Sequence, residues 1–201
     1  MSTVQEAKRR AIVEVLIRAA QDCLITHGLD VTVDEVAERA GVSRSTIFRH
    51  FSTRDELISA AVRSGAADLE TSLPPYAGGD WRPWLHEICN LIHTRANQTA
   101  QGIWDLIARR DLSPLLSAAV RELRDNRKTR HHQIAATLWE AAGGHGLPPP
   151  AIDNVVASHL SPLFTITVIT DVDANPHCVA ELAEICIVTA IARQLASSAS
   201  M

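Results

Sequence analysis

An all-α protein is predicted, a head of short helices followed by a larger helical body, on three observations. Apolar residues recur at three- and four-residue spacing in nearly every segment, the period of a helix with one buried face. Helix starts are marked repeatedly by a hydroxyl or amide residue followed by glutamate or proline, as at Thr32–Glu35, Thr53–Glu56, Ser113–Pro114 and Asn175–Pro176. Hydrophobic residues make up 46% of the 201 but aromatics only 4%, so the core has to be built from alanine, leucine, isoleucine and valine.

The elements follow in order. Ile12, Val15, Leu16, Ala19, Ala20, Cys23 and Leu24 form one apolar stripe on a helix that stops at Gly28. Thr32 with Glu35 makes a capping box ahead of Val33–Ala40, Ser43 precedes Arg44–His50, and Thr53 with Glu56 opens a helix carrying Leu57, Ile58, Ala61 and Val62. The run Leu73 to Asp80, rich in proline and glycine, separates a head of residues 1–73 from a body of residues 80–201. In the body, Trp81, Trp84, Leu85, Ile88, Cys89 and Ile92 give a strong apolar face, and a shorter helix surrounds Ile103, Trp104 and Ile107. A long helix runs from Pro114 to the Gly143–Gly144 stop, with a densely charged stretch over Arg121–His132. The next runs from Pro150 through Val155 to Ile169 and should kink at Pro162. Leu163–Ile169 is rich in β-branched residues, yet nothing else in the chain offers it strand partners, so it stays helical. The last helix carries Val179, Leu182, Ala183, Cys186, Ile187, Ala190 and Ile191.

The net charge of −4 excludes a generally basic nucleic-acid coat. Residues 1–65 hold nine lysines and arginines against nine aspartates and glutamates, so any attraction to an anion has to come from a few placed cations. Cys23, Cys89, Cys178 and Cys186 show no close pairing and read as buried free thiols. Neither a signal peptide nor an apolar run of membrane-spanning length is visible, so a cytoplasmic location without membrane association is the expectation. No H-E-x-x-H occurs and no glutamate is followed three residues later by histidine, so neither metal nor cofactor is expected. Phosphate-binding and nucleophile-elbow motifs are likewise missing, and an enzyme is not expected.

Val33–Phe51 has the form of a helix-turn-helix. Val36, Ala37 and Ala40 face inward from the first helix, Ile47 and Phe51 from the second, and Gly41 sits where the chain must leave the first. Such a pair presents the start of its second helix outward, and an α-helix fits the major groove, where base edges are distinguishable. Arg44, Ser45 and Thr46 occupy that exposed turn. Thr32, His50 and Arg54 flank it as phosphate partners, and Arg49 and Arg39 add charge nearby.

Ile12–Val62 closely resembles the DNA-binding head of the TetR (tetracycline repressor) family. The features that carry this are Ala19–Ala20, the helix-ending Gly28, Thr32 before Val36–Ala37, Ala40–Gly41–Val42–Ser43 at the turn, Thr46–Ile47–Phe48 with His50–Phe51, and Arg54 before Glu56–Leu57. The resemblance implies that Arg44, Ser45 and Thr46 meet a double-stranded operator and that Thr32, His50 and Arg54 hold phosphates. Phe48 stands at the position usually held by tyrosine, so the DNA-facing residue there lacks a hydroxyl. Ser45 replaces a frequent glycine, and Arg54 a common lysine. For the body the resemblance implies a ligand-binding and dimerisation bundle, whose last two long helices pair with their mates in a second copy. A palindromic operator and release of a repressor by a small-molecule effector are the matching expectations. His93, Trp104, Trp139 and Phe164 are candidates for the effector pocket wall, although bulky residues at helical spacing also build ordinary cores. The rival reading is an all-helical small-molecule-binding protein or enzyme with a vestigial helix-turn-helix.

Overall fold

The computed structural model describes residues 3–198, and within them every side chain except those of residues 100, 101, 103, 107 and 198. All regular structure among the described residues is helical: α1 (Thr3–His27), a 3₁₀ turn (Gly28–Asp30), α2 (Val33–Ala40), α3 (Arg44–His50), α4 (Arg54–Ser72), α5 (Trp81–Gln98), α6 (Ala100–Ala108), α7 (Pro114–Ala141), α8 (Pro150–His159), α9 (Pro162–Val172) and α10 (Pro176–Ser198). The expected all-α class is what the chain adopts. No single helix among the described residues is long and apolar enough to cross a membrane.

The chain forms two compact units. The first joins residues up to Thr71 with Thr99–Arg124, which takes in α1 to α4, α6 and the first part of α7. This division differs from the one read at Leu73–Asp80, because residues 99–124 carry apolar side chains that belong to the core of the N-terminal helices. Leu16, Ala20, Val31, Val36, Ile47, Leu57 and Ile58 are buried there together with Leu106, Leu116, Ala119 and Val120. At Gly102 the backbone of α6 comes so close to α1 that a Cβ would stand 3.0 Å from the Leu24 carbonyl oxygen. The expected stripe on α1 is real from Leu16 onward, but Val15 is half exposed. The side chains of Ile103 and Ile107, expected on the apolar face of α6, lie outside the described residues.

The second unit comprises Ser72–Gln98 and the chain from Asp125, hence α5, the rest of α7 and α8 to α10. Helix α5 packs along α10 and α9, and α8 packs on α10. Leu85, Ile88, Cys89 and Ile92 of α5 meet Leu138, Ile152, Val156, Leu160, Ala183, Ile187 and Ile191 in one cluster. The segment expected to be one kinked helix across Pro162 is instead two, bent by 56°. Pro162 has no N–H to continue the ladder, and Ser161 accepts the Leu163 N–H at 3.2 Å, so a new helix starts there. After α7 the chain turns tightly over Trp139. The Gly144 N–H donates to the Trp139 carbonyl at 2.9 Å, and a Cβ on Gly144 would fall 2.1 Å from the indole. Asn175 caps α10 through its side-chain oxygen, which accepts the Cys178 N–H at 3.0 Å.

Candidate nucleic-acid interface

The helix-turn-helix is built by local rules, each visible in the geometry. The Thr32 hydroxyl accepts the Glu35 N–H at 3.2 Å, and the Glu35 carboxylate accepts the Thr32 N–H at 2.6 Å, closing the capping box. The Thr32 N–H and the Thr32 hydroxyl, which donates to the same carboxylate at 2.9 Å, favour the ionised acid and hold the Glu35 carboxyl below its ordinary value. Helix α2 ends at Gly41, whose φ of +66° lies in the left-handed region that glycine enters without a steric cost. The Val42 N–H then donates to the Ala37 carbonyl at 3.0 Å, which turns the chain toward α3. Ser43 caps α3 by accepting the Thr46 N–H at 3.2 Å. Ile47 and Phe51 are buried and fix the face on which α3 sits. At the next start, Thr53 accepts the Glu56 N–H at 3.1 Å, while the Glu56 carboxylate reaches back to the Ser52 N–H at 2.7 Å, one residue earlier than a regular box.

What α3 turns outward is Arg44, Ser45, Phe48 and Arg49, all exposed, with Thr46 half-buried. The Ser43 hydroxyl lies 2.8 Å from that of Ser45 and 2.9 Å from that of Thr46, a small cluster with acceptor and donor capacity left over. Arg44 is held from two sides. Its Nη1 donates to Asp34 Oδ2 at 2.8 Å, and its guanidinium lies 5.4 Å from the centre of the Phe48 ring. Arg39 lies 3.9 Å from Asp22 on the α2 side.

Two of the expected phosphate partners are engaged or enclosed within the protein. Arg54 turns inward. Its Nε donates to the Val31 carbonyl at 2.6 Å, its Nη2 to the Leu29 carbonyl and its Nη1 to Asp55 at 3.0 Å. Carbonyls left unpaired where α1 gives way to α2 attract the guanidinium more directly than a solvent-separated strand can. The same turn is held from α6, where Asp105 accepts the Leu29 N–H at 2.8 Å and Arg109 pairs with Asp30. His50 keeps both ring nitrogens shielded from water, and among the described residues neither has a hydrogen-bond partner. The ring has to turn before it can meet a phosphate. Thr32 is exposed, but its hydroxyl already serves the capping box.

The four candidate effector residues fall in both units. Trp104 lies on α6 in the first unit and is half exposed, while His93, Trp139 and Phe164 belong to the second. Within the second unit His93 and Phe164 do meet, with ring centroids 5.9 Å apart, and the His159 ring centroid lies 4.8 Å from that of Phe164. His93 is fully buried. Its Nδ1 is 2.8 Å from the Thr165 hydroxyl, and its Nε2 has no partner among the described residues. Burial, reinforced by His159, pushes its pKa down to about 4, so the imidazole is neutral at physiological pH. Trp139 is a core residue whose indole N–H donates to the His145 carbonyl at 3.4 Å. His131 is a second buried histidine held down to about 4, by burial and by Arg130 and Arg127. Its signal was an apolar register on α7 hidden by the charged residues around it.

The four cysteines are free. Cys23 and Cys89 are buried as expected, and burial pushes the Cys89 thiol up to about 12, but Cys178 is exposed and Cys186 only half-buried. Among the described residues no group of three or more histidine, cysteine, aspartate or glutamate side chains is arranged to hold a metal ion.

Comparison with known proteins agrees with this geometry. Residues 16–61 match the profile of bacterial regulatory proteins, tetR family. The chain is 37% identical over 60 residues to an uncharacterised helix-turn-helix transcriptional regulator of Mycobacterium tuberculosis, a match covering 29% of this chain and 32% of that one. It is 37% identical over 71 residues to the class A tetracycline repressor protein of Escherichia coli, covering 35% of this chain and 33% of the other. With the Pseudomonas putida regulator TtgW it shares 32% identity over 95 residues, 46% of this chain and 69% of TtgW. The chain thus spans about a third of the length of the first curated relatives it matches. Over the whole chain the fold is similar to that of a tetR-family transcriptional regulator from Streptomyces coelicolor, with a TM-score of 0.71 at 20% identity over 96% of this chain and 84% of that one. It is also similar to that of the transcriptional regulator FadR from Bacillus subtilis, solved in complex with stearoyl-CoA, with a TM-score of 0.65 at 15% identity over 88% and 98% of the two chains. A capped helix pair with an outward Arg44, a matching family profile and a relative aligned over most of its length lead to one conclusion: the chain belongs to the tetR family of bacterial regulatory proteins.

Proposed function

We propose that this protein is a sequence-specific DNA-binding transcriptional regulator that acts as a homodimer, a repressor released from a palindromic operator by a small-molecule effector. One observation carries the reading: the α2–turn–α3 pair is fully capped and exposes the first turn of α3, headed by Arg44 with 58% of its side chain open to solvent. A guanidinium so placed can pair bidentately with guanine, and the neighbouring hydroxyls of Ser45 and Thr46 can serve either base edges or phosphate. Arg49 adds charge along the same helix, and His50 joins the phosphate contacts once its ring turns. Arg54 supports the surface from behind. DNA recognition falls to residues 1–73, braced by residues 99–124, and effector binding and pairing to the rest of residues 80–201.

Support for pairing comes from apolar side chains left open on the last helices. Leu182 is 41% and Ile185 62% exposed on α10, and Leu163 is 39% exposed on α9. A two-fold dimer sets two recognition helices about one DNA turn, roughly 34 Å, apart, which is why a palindromic site is expected. Support for an effector comes from the His93–Phe164 pair, where a neutral imidazole with one unmet nitrogen faces apolar neighbours. Such a site suits an apolar effector carrying one uncharged polar group. Trp139 is a core residue of the same unit, and Trp104 belongs to the first unit. Binding to chromosomal DNA implies a cytoplasmic protein, and no catalytic role is assigned.

Selection of bound duplexes from random-sequence DNA tests the reading. The expected result is a single palindromic consensus whose binding weakens steeply with salt. Recovery of unrelated sequences would sink it.

A further inference from the structure

The groove beside α3 holds about 610 Å³ and is lined by Asp30, Asp34, Arg44, Phe48, Arg54 and Arg109 among others. Each guanidinium in it already has a partner. Arg109 pairs with Asp30, Arg54 with backbone carbonyls and Asp55, and Arg44 with Asp34. A carboxylate at the mouth of a surface that must approach polyanionic DNA is unfavourable unless it does something else there. Asp34 stands in the first turn of α2, 66% of its side chain is open to water, and it meets Arg44 across the turn at 2.8 Å. Phe48 covers the guanidinium from another side at 5.4 Å. Only Nη1 is engaged with Asp34, and the guanidinium carries five N–H donors, so a second edge stays open for a base.

We propose that Asp34 is a positioning residue for base reading, holding the Arg44 guanidinium on the Phe48 ring so that it meets the groove already oriented. The inference rests on the DNA-recognition reading above and adds to it the residue that sets how well Arg44 discriminates. A free arginine spends several rotatable bonds of entropy to make a two-pronged contact, and one held beforehand spends less. The carboxylate lowers affinity for any duplex by repulsion, while the orientation it imposes helps only where a guanine is correctly placed. Asp34 therefore exchanges affinity for discrimination.

The test compares binding of the full-length protein to the duplex recovered by selection and to a scrambled duplex of the same length. Asp34→Asn is expected to tighten binding to the scrambled duplex and to lower the ratio of selected to scrambled affinity about fivefold, the scale of one exposed ion pair with its ring contact. Asp34→Glu, which keeps the charge, restores most of that ratio. In an Arg44→Ala background, Asp34→Asn changes both affinities by the same factor, because there is no guanidinium left to orient. An equal gain on both duplexes in the presence of Arg44 would show that Asp34 only repels, and would overturn the inference. If the unmodified protein itself does not prefer the selected duplex, the DNA-recognition reading fails first and the inference falls with it.

Discussion

Acid should unfold this protein earlier than its composition suggests, and the two buried histidines set how much. His93 and His131 both titrate at about 4 in the folded chain, held down by burial and, for His131, by the flanking Arg130 and Arg127. In the unfolded chain an imidazole titrates near about 6.5. The folded state thus binds fewer protons than the unfolded state below that value. Stability is fully present above pH 6.5, falls as the pH drops, and levels off once it passes the folded value near 4. At about pH 5 each histidine costs about 2 kcal/mol relative to pH 8, at 1.36 kcal/mol for each pH unit below the unfolded pKa. Together they remove about 4 kcal/mol from a domain-scale stability of about 5–15 kcal/mol. Urea unfolding followed by far-ultraviolet circular dichroism at the two pH values, at one fixed protein concentration, measures the loss directly. His93→Gln and His131→Gln should each abolish about half of the pH dependence, whatever they do to stability at pH 8. An unchanged difference between the two pH values in the double variant would refute the assignment of that loss to these two rings.

The remaining predictions concern the interface and the pairing surface. Arg44→Ala should weaken binding to the selected duplex by about tenfold or more and to a scrambled duplex far less, in gel shifts at matched salt; equal losses would remove it as a base reader. Arg54→Ala should lower the melting temperature, because the Leu29 and Val31 carbonyls lose their donor, and should leave the salt slope of DNA binding unchanged. A slope reduced by about one unit without a change in melting temperature would return Arg54 to the phosphate contacts. Leu182→Glu combined with Ile185→Glu should convert a dimer to a monomer in analytical ultracentrifugation, and a persistent dimer would place the pairing surface elsewhere.

What was legible in the sequence is what local chemistry decides. Thr32–Glu35, Ser43, Ser113–Pro114 and Asn175–Pro176 start helices where they were expected to, because a cap acts on N–H groups two or three residues away and needs nothing else. Leu163–Ile169 is helical for a less local reason: with no strand among the described residues to pair with it, Ser161 and Pro162 decide. Other features depend on partners that spacing cannot reveal. An apolar face on α6 announces burial but not which core receives it, so the Leu106 and Gly102 contacts that join residues 99–124 to the N-terminal helices were not visible. Arg54 looked like a surface cation, and only the direction of two carbonyls shows that it faces inward. The burial of His131 within a charged run was not legible either, because it depends on packing beside Leu160.

The turn over Trp139 bears on how genetic screens of this protein should be interpreted. With the indole where a methyl group at position 144 would have to go, a saturation library should retain glycine there almost exclusively. Clones that lose Gly144 should score as regulatory nulls through lower abundance, since the Trp139 indole in the core has to shift to admit a side chain there. Immunoblotting such clones before assigning them a part in effector response separates a missing protein from a silent one.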